Sequence, residues 1–183
     1  MTRLILVRHG RAAAGWGEDA DPGLDDIGRQ QAEAVAAELG PIGPMPVIVS
    51  PLRRTRETAA PLERQWSVEA QVEPGVGEVV APVEALAERE AWLGDFMNST
   101  WADAEPELRR WRTSVIDTLT SIKEDSVVVT HFVAINVAVG EALGDARVVC
   151  FAPDNCARTV LDVDSDGRFS VVALGGQGAT RVL

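Results

Sequence analysis

The sequence predicts an α/β protein: one three-layer α/β/α domain around a mostly parallel, mixed, six-stranded sheet. Short apolar, β-branched runs such as Leu4 to Val7 alternate with longer segments of helical periodicity. The runs are apolar throughout, which is typical of parallel strands covered on both faces. Near the end of the chain, Asp164-Ser165-Asp166-Gly167 predicts the turn of a β-hairpin, and this hairpin makes the sheet mixed.

The first half of the chain gives the first two strands and the helices that follow them. After the strand ending at Val7, residues 25–39 predict a helix with acidic residues at its start and a glycine after its end. A proline-rich loop over 41–46 leads to a second buried strand, Val47–Val49. Ser50-Pro51 then predicts the start of the next helix, with serine as its cap and proline in its first turn.

The second half continues the alternation and completes the six strands. We expect a strand at 68–72, helices at 84–96 and 105–122, a strand at 127–129, a helix at 132–143 and hairpin strands at 157–164 and 169–174. The helices between most of the strands predict a sheet with a helical layer on each face.

Length and composition are consistent with one domain over residues 1–183. A chain of 183 residues with 46% hydrophobic residues can bury a single sizeable core. Its apolar runs are too short to span a bilayer, and the first residues enter a strand without a charged and then apolar leader. We therefore expect a cytoplasmic protein with no membrane partner.

The net charge of −11 argues against nucleic acid and anionic membrane surfaces as partners, because both bind through an excess of Lys and Arg. It does not argue against a small phosphorylated substrate, since the field in a cleft can oppose that of the whole molecule. Arginines cluster in the segments that we expect to form the site, at Arg8, Arg11, Arg53 and Arg54. Such a pocket would favour small phosphoesters over polyanions.

The chain has only two histidines, and each follows an apolar strand. His9 comes after the first strand, and His131 after the strand at 127–129. In an open α/β sheet, ligands bind outside the carboxyl ends of the strands, so neighbouring strands would bring both imidazoles to one crevice. Arg8 adds a permanent cation beside a potential nucleophile. This combination predicts an anion site, and phosphate fits it best.

Several motifs in order resemble those of the histidine phosphatase superfamily, which includes cofactor-dependent phosphoglycerate mutases and many phosphomonoesterases. These are Leu6-Val7-Arg8-His9-Gly10, Asp21-Pro22-Gly23-Leu24 through Gly28, Ser50-Pro51-Leu52-Arg53-Arg54-Thr55, Glu78, and Val129-Thr130-His131. The resemblance covers nearly the whole chain and implies a phosphoglycerate mutase-like fold. It also implies that residues 79–126 form a short helical insertion of the lid type.

The resemblance, together with residue chemistry, assigns roles to five residues. His9 would attack phosphorus and form a phosphohistidine, and Glu78 would protonate the leaving alkoxide. The nearby Glu73, Glu84 and Glu88 are alternatives for this acid. Arg8, Arg54 and His131 would hold the phosphoryl oxygens, as positively charged or polar donors do in phosphoryl transfer. This chemistry needs no cofactor and no metal ion.

The sequence departs from the family pattern where a substrate would be recognised. Ala12 and Gly15 replace the threonine and asparagine that the family often has, and Phe132 stands where a glycine is usual. We regard Arg11, Arg53 and Phe132 as candidate substrate-binding residues. The arginines on the predicted helices are expected on solvated faces with i,i+4 partners, namely Arg89, Arg109, Arg110 and Arg112.

The resulting prediction is a metal-independent phosphatase acting on a small phosphorylated substrate or a phosphoprotein. A phosphoglycerate mutase and a catalytically silent phosphoester-binding domain are the alternatives. A zinc site of two histidines and one acid is a remote alternative, because adjacent arginines would repel the cation. The sequence leaves open whether the protein is a monomer or a homodimer.

Overall fold

The computed structural model describes residues 1–177 as a six-stranded sheet flanked by helices. The strands are β1 (Thr2–Arg8), β2 (Val47–Val49), β3 (Gln71–Val72), β4 (Ser126–Thr130), β5 (Arg158–Val163) and β6 (Phe169–Ala173). The α-helices are α1 (Asp26–Leu39), α2 (Arg53–Trp66), α3 (Leu86–Met97), α4 (Pro106–Ser121) and α5 (Phe132–Leu143). Short 3₁₀ turns occupy Gly40–Ile42 and Pro74–Val76.

The sheet has the strand order β3-β2-β4-β1-β5-β6. Strands β1 to β4 pair in parallel, whereas β5 runs antiparallel to β1 and β6 antiparallel to β5. This arrangement confirms the predicted α/β fold with a mostly parallel, mixed sheet. Because β1 and β4 are neighbours with Arg8 opposite Thr130, the residues that follow both strands emerge together at one edge.

The strand residues alternate between two cores, one on each face of the sheet. Leu4 and Leu6 pack with α3, α4 and α5, while Ile5 and Val7 pack with α1 and α2. Both sets are almost completely buried, and full burial of one such side chain contributes about 1.5–3 kcal/mol. Burial on both faces is the physical reason that the strands are continuously apolar, and it holds the strand ends in place.

The predicted strand at 68–72 is wrong over its first half. Only Gln71–Val72 pairs with β2, because the preceding residues close helix α2. Ser67 adopts a left-handed conformation with φ 55°, and the Val68 amide donates to the Glu63 carbonyl at 3.1 Å. Helix closure thus uses amides that a longer strand would need.

The predicted helix start at Ser50-Pro51 is also wrong. Helix α2 begins at Arg53, after Leu52 in an extended conformation and without a side-chain cap. The Ser50 hydroxyl lies 2.7 Å from Nε2 of His131, so it is engaged with the end of a neighbouring strand. Arg54 is nevertheless in the first turn of α2, as predicted.

The other predicted helices and strands are present with their ends shifted by a few residues. Among residues 1–177, no helix is both long enough and apolar enough to cross a membrane.

Candidate active site

A cavity of about 600 Å³ opens where the chain leaves the carboxyl ends of the parallel strands. Its walls come from the loop after β1, the start of α2, the segment around Glu78 and the start of α5. It contains five of the polar residues that the sequence predicts for the site, namely Arg8, His9, Arg11, Arg54 and Glu78. A cleft at this edge is the usual ligand position in an open α/β sheet.

Backbone contacts hold His9 at the end of β1. Its amide donates to the Thr130 carbonyl at 3.0 Å, which ties the end of β1 to the end of β4. The next residue, Gly10, lies so close to α1 that an added Cβ would be 2.6 Å from the Gly28 carbonyl oxygen. A side chain at Gly10 would therefore push the loop away from the helix and displace His9.

The hydrogen bonds of the His9 ring indicate which nitrogen carries the lone pair. Nδ1 is 2.8 Å from the Gly10 carbonyl oxygen, which can only accept, so Nδ1 carries the proton. Nε2 accepts from Nε of Arg54 at 3.3 Å. The Nε2 lone pair is therefore directed toward the guanidinium of Arg54.

His131 lies immediately before α5, and its ring stands 5.2 Å from that of His9 at an angle of 60°. Its Nε2 is 2.7 Å from the Ser50 hydroxyl, whereas its buried Nδ1 has no hydrogen-bond partner among residues 1–177. If the hydroxyl donates to Nε2, the proton of the neutral ring is on Nδ1. The ring can then donate one more hydrogen bond.

Arg8 and Arg54 bring two guanidinium groups to the same place. Arg8 is only 4% exposed and Arg54 only 6% exposed. Neither side chain forms an ion pair within 4 Å among the described residues. Nη1 of Arg8 donates to the Pro153 carbonyl at 2.8 Å, and its guanidinium carbon lies 5.1 Å from the centre of the Phe132 ring. Nε of Arg8 is buried without a partner in residues 1–177, and a bound oxyanion could accept from it.

Burial and positive charge act together on the imidazoles. Loss of hydration lowers the pKa of both His9 and His131 well below the usual value, and the charges of Arg54 and Arg8 lower it further. Burial also lowers the pKa of both arginines from its ordinary value, but a guanidinium remains charged in proteins. The site therefore combines two neutral imidazoles with two cations.

Glu78 faces the cleft from the segment after the second 3₁₀ turn. Its carboxyl accepts from the Val79 amide at 3.0 Å and from the Val133 amide at 3.3 Å, in the first turn of α5. Burial raises its pKa more than these hydrogen bonds and the nearby arginines lower it. A carboxyl with a raised pKa can hold a proton that it later donates.

The three candidate substrate-binding residues take different positions. Arg11 lines the cavity but pairs with Asp25 at 2.5 Å, and Phe132 lines it while packing on Arg8. Arg53 is not a lining residue, because its exposed side chain pairs with Glu57 along α2 at 2.6 Å.

The expectation that the helix arginines lie on solvated faces is wrong for two of them. Arg89 lines the cavity with its Nε buried. Arg112 lies over the Trp101 ring at 5.7 Å and pairs with Glu141. Arg109 and Arg110 are exposed, as expected.

Three residues hold the histidines, and although they lie in or near the motifs of the sequence, they were not predicted to have a role in the site. Ser50 orients His131, Thr58 accepts from the Gly10 amide at 3.0 Å, and Asn155 donates to the His9 carbonyl at 2.9 Å. Ser50 could have been found, because it follows β2 directly and β2 neighbours β4. The roles of Thr58 and Asn155 depend on contacts across 48 and 146 residues, so the local sequence does not show which groups they contact.

Among residues 1–177, no three His, Cys, Asp or Glu side chains form a group that could hold a metal ion.

The fold and site together describe an α/β protein with two buried arginines beside a neutral histidine at the edge of its sheet. The model of the histidine phosphatase superfamily (branch 1) matches residues 4–175. The chain belongs to this family, as the sequence motifs indicated.

Curated relatives of the chain differ in length and in described activity. A probable phosphoglycerate mutase, GpmB of Erwinia tasmaniensis, is 28% identical over 163 residues, 79% of this chain and 76% of that protein. Glucosyl-3-phosphoglycerate phosphatase of Mycobacterium tuberculosis is 29% identical over 109 residues, 57% of this chain and 44% of that protein. The PE-PGRS family protein PE_PGRS11 of M. tuberculosis is 40% identical over 84 residues, 43% of this chain and 14% of that protein.

Solved structures show the same fold. Phosphoserine phosphatase from Entamoeba histolytica, in complex with 3-phosphoglyceric acid, superposes with a TM-score of 0.77. The match covers 97% of this chain and 98% of that chain at 20% sequence identity.

Proposed function

We propose that the protein is a metal-independent phosphomonoesterase that acts on a small phosphorylated substrate through a phosphohistidine intermediate. One observation carries this proposal: beside His9, two buried nitrogen atoms lack hydrogen-bond partners within residues 1–177. They are Nε of Arg8 and Nδ1 of His131. Unpaired buried polar groups are costly, and phosphoryl oxygens would satisfy both.

In the first step, Nε2 of His9 attacks phosphorus opposite the ester oxygen. The N–P bond forms, the P–O bond breaks, and Glu78 gives its proton to the departing alkoxide. The hydrogen bond from Nδ1 of His9 to the Gly10 carbonyl stabilises the positive charge that develops on the ring. Product alcohol then leaves the phosphorylated enzyme.

In the second step, the Glu78 carboxylate takes a proton from water as that water attacks phosphorus. The P–N bond breaks, inorganic phosphate is released, and His9 regains its lone pair. Arg8, Arg54 and His131 would bind the equatorial oxygens in both steps, which is the main task of a protein in phosphoryl transfer. Arginine and histidine supply the charge that a metal ion supplies elsewhere.

Residues 79–126 would act as a lid-type insertion of a single domain. This is supported by their position, because Val79, Val80, Ala81 and Arg89 all line the cavity. The insertion would shape the part of the cleft that receives the alcohol portion of the substrate.

The intermediate provides the direct test. Incubation with a ³²P-labelled phosphoester in the presence of EDTA should give a labelled protein whose label is lost in acid and stable in alkali. His9→Ala should not be labelled and should not turn over, because its nucleophile is gone. Arg53→Ala, which changes an exposed arginine outside the cavity, serves as the control that keeps labelling. Labelling of His9→Ala would refute the proposal, and loss of wild-type labelling with EDTA would refute metal independence.

A mutase is the second candidate because one curated relative is described as a probable phosphoglycerate mutase. A mutase must retain its product and exclude water until the phosphoryl group returns. Incubation with 3-phosphoglycerate and a trace of the bisphosphate separates the two functions. We expect phosphate release to exceed isomer formation, and the reverse result would favour the mutase.

A further inference from the structure

The loop before β5, residues 153–156, contacts both residues at the end of β1, and we call it the Arg8 loop. The Pro153 carbonyl accepts from Nη1 of Arg8 at 2.8 Å, and the Asn155 side chain donates to the His9 carbonyl at 2.9 Å. A hydrogen bond to a charged group is among the stronger ones in proteins. The position of the Arg8 loop therefore sets the direction of the Arg8 guanidinium.

Helix α5 holds the chain that leads into the Arg8 loop. Asn136 is fully buried on this helix, and its Oδ1 accepts from the Cys150 amide at 2.9 Å and from the Phe151 amide at 3.1 Å. Its Nδ2 donates to the carbonyl of Phe132, whose ring lies against the Arg8 guanidinium. The entrance to the loop and the aromatic ring are thus fixed relative to each other.

The second support of the Arg8 loop comes from residues 175–177, which continue β6 and which we call the β6 extension. Gln177 forms an isolated antiparallel bridge with Pro153, and the Asp154 amide donates to the Gly176 carbonyl at 2.9 Å. None of the three residues lines the cavity. Any effect of the β6 extension on a bound phosphate must therefore pass through the Arg8 loop.

Gly175 lets the β6 extension approach the start of β5. An added Cβ on Gly175 would lie 2.9 Å from Cβ of Ala157 and 2.9 Å from the Arg158 carbonyl oxygen, so a side chain here forces one segment to move. Arg158 is paired with Val7 inside the sheet, so the less firmly paired β6 extension moves. An added Cβ on the adjacent Gly176 would meet no atom within 4 Å.

We infer that the β6 extension is a positioning element of the phosphate site, which acts on the Arg8 guanidinium through the Pro153 carbonyl. Gly175 is the positioning residue that allows it to dock. The inference rests on the proposed function in taking Arg8 as a phosphate ligand. Coupling of this kind is reciprocal, so phosphate bound at Arg8 stabilises the pairing of the Arg8 loop with the β6 extension.

Alanine at the two adjacent glycines tests this inference, with the affinity for inorganic phosphate measured by NMR titration. Gly175→Ala should weaken binding by about 3- to 30-fold, part of the usual value of a charge-assisted hydrogen bond. Gly176→Ala makes the same chemical change without a clash and keeps the accepting carbonyl, so binding should stay at the wild-type value. In an Arg8→Met background, which has no donor for Pro153, Gly175→Ala should have no further effect.

Hydrogen exchange of the Asp154 amide reports the docking of the β6 extension directly. Exchange should be faster in Gly175→Ala than in wild type or Gly176→Ala. Saturating phosphate should slow it in the wild type but not in Arg8→Met. If neither Gly175→Ala nor the larger Gly175→Val speeds exchange, the β6 extension does not hold the loop and the inference is wrong.

The remaining outcomes separate this inference from the phosphatase proposal. Faster exchange with unchanged phosphate affinity would overturn the positioning role and leave the phosphatase proposal standing. An equal loss of affinity with and without Arg8 would do the same, because a general loss of packing acts in both backgrounds. If the wild type neither binds phosphate nor forms the labelled intermediate, the phosphatase proposal fails and this inference fails with it.

Discussion

At the scale of single residues, burial has opposite effects on the two kinds of titratable group in the cleft. It lowers the pKa of His9 and His131, because their charged form is the protonated one. It raises the pKa of Glu78, because its charged form is the deprotonated one. A neutral nucleophile and a protonated acid can therefore be present together, which the proposed first step requires.

The proposed acid role of Glu78 depends on the leaving group. Glu78→Gln keeps the size of the side chain but cannot donate an acidic proton, so esters with alkoxide leaving groups should react roughly 10²–10⁴-fold more slowly. An aryl phosphate, whose phenolate needs little protonation, should react at nearly the wild-type rate in phosphoenzyme formation. The measurement is a single-turnover rate with both substrates.

Glu73→Gln is the matched control for this experiment, since Glu73 precedes the same 3₁₀ turn and accepts from the Gly75 amide instead of lining the cavity. We expect it to change neither rate. Equal losses with the alkyl and aryl substrates would contradict the acid role of Glu78.

At the scale of elements, the start of α5 organises much of the site. His131 precedes the helix, the Phe132 ring lies against the Arg8 guanidinium, and the Val133 amide donates to Glu78. The positive end of the helix macrodipole also faces this region. A shift of this one element would therefore disturb the phosphate site and the proposed acid together.

Phe132 is expected to position Arg8 through its aromatic face. Phe132→Leu keeps an apolar side chain at this buried position but loses the cation–π contact, so affinity for inorganic phosphate should fall by about 3- to 30-fold. Phe132→Tyr, which retains the ring, should restore the affinity. Phosphate binding is measured by calorimetry.

Thermal unfolding of the same variants separates this role from simple packing. The melting temperature of Phe132→Leu should stay within a few degrees of wild type, whereas Phe132→Ala should lose about 3–5 kcal/mol of stability. If the phosphate affinity of the variants correlates with their melting temperature and not with the presence of an aromatic ring, Phe132 contributes only to packing.

At the scale of the whole molecule, keeping two histidines neutral couples stability to pH. The unfolded chain binds protons at both histidines below their ordinary pKa of 6.5, while the folded protein binds fewer. The free energy of unfolding must then fall as the pH is lowered through 6.5. Glu78 has the opposite effect on the free energy of unfolding. Because its pKa is raised, the folded protein binds more protons than the unfolded chain above pH 4.5.

We therefore expect the melting temperature to fall between pH 7.5 and pH 5.5, and the fall to be smaller in His131→Gln and larger in Glu78→Gln. Differential scanning calorimetry at constant ionic strength measures this dependence. The surface ion pair of Asp145 with Arg147 does not contribute to this pH dependence. Arg147 lowers the pKa of Asp145 to about 2, so the contribution of this pair to stability is lost only near and below pH 3.8. A pH dependence that is unchanged in both variants would show that these groups are not its source.

The amino-acid sequence by itself determined the fold class and the edge of the sheet where the candidate site lies. Strands buried on both faces leave continuous apolar runs, and parallel strands place their carboxyl ends together. For this reason the sequence alone could assign His9 and His131 to one crevice, although they are 122 residues apart in the chain. The motifs added Arg54 and Glu78 to the same site.

Tertiary structure decided which side of each charged helix faces the cleft. Arg53 and Arg89 both lie on polar helices, yet Arg53 pairs with Glu57 in solvent and Arg89 lines the cavity. The loop after β1 lies against the start of α3, where an added Cβ on Gly17 would be 3.4 Å from the Leu86 carbonyl oxygen. Contacts between such distant segments have no local sequence pattern, because a solvated face and a cleft-lining face use the same charged residues.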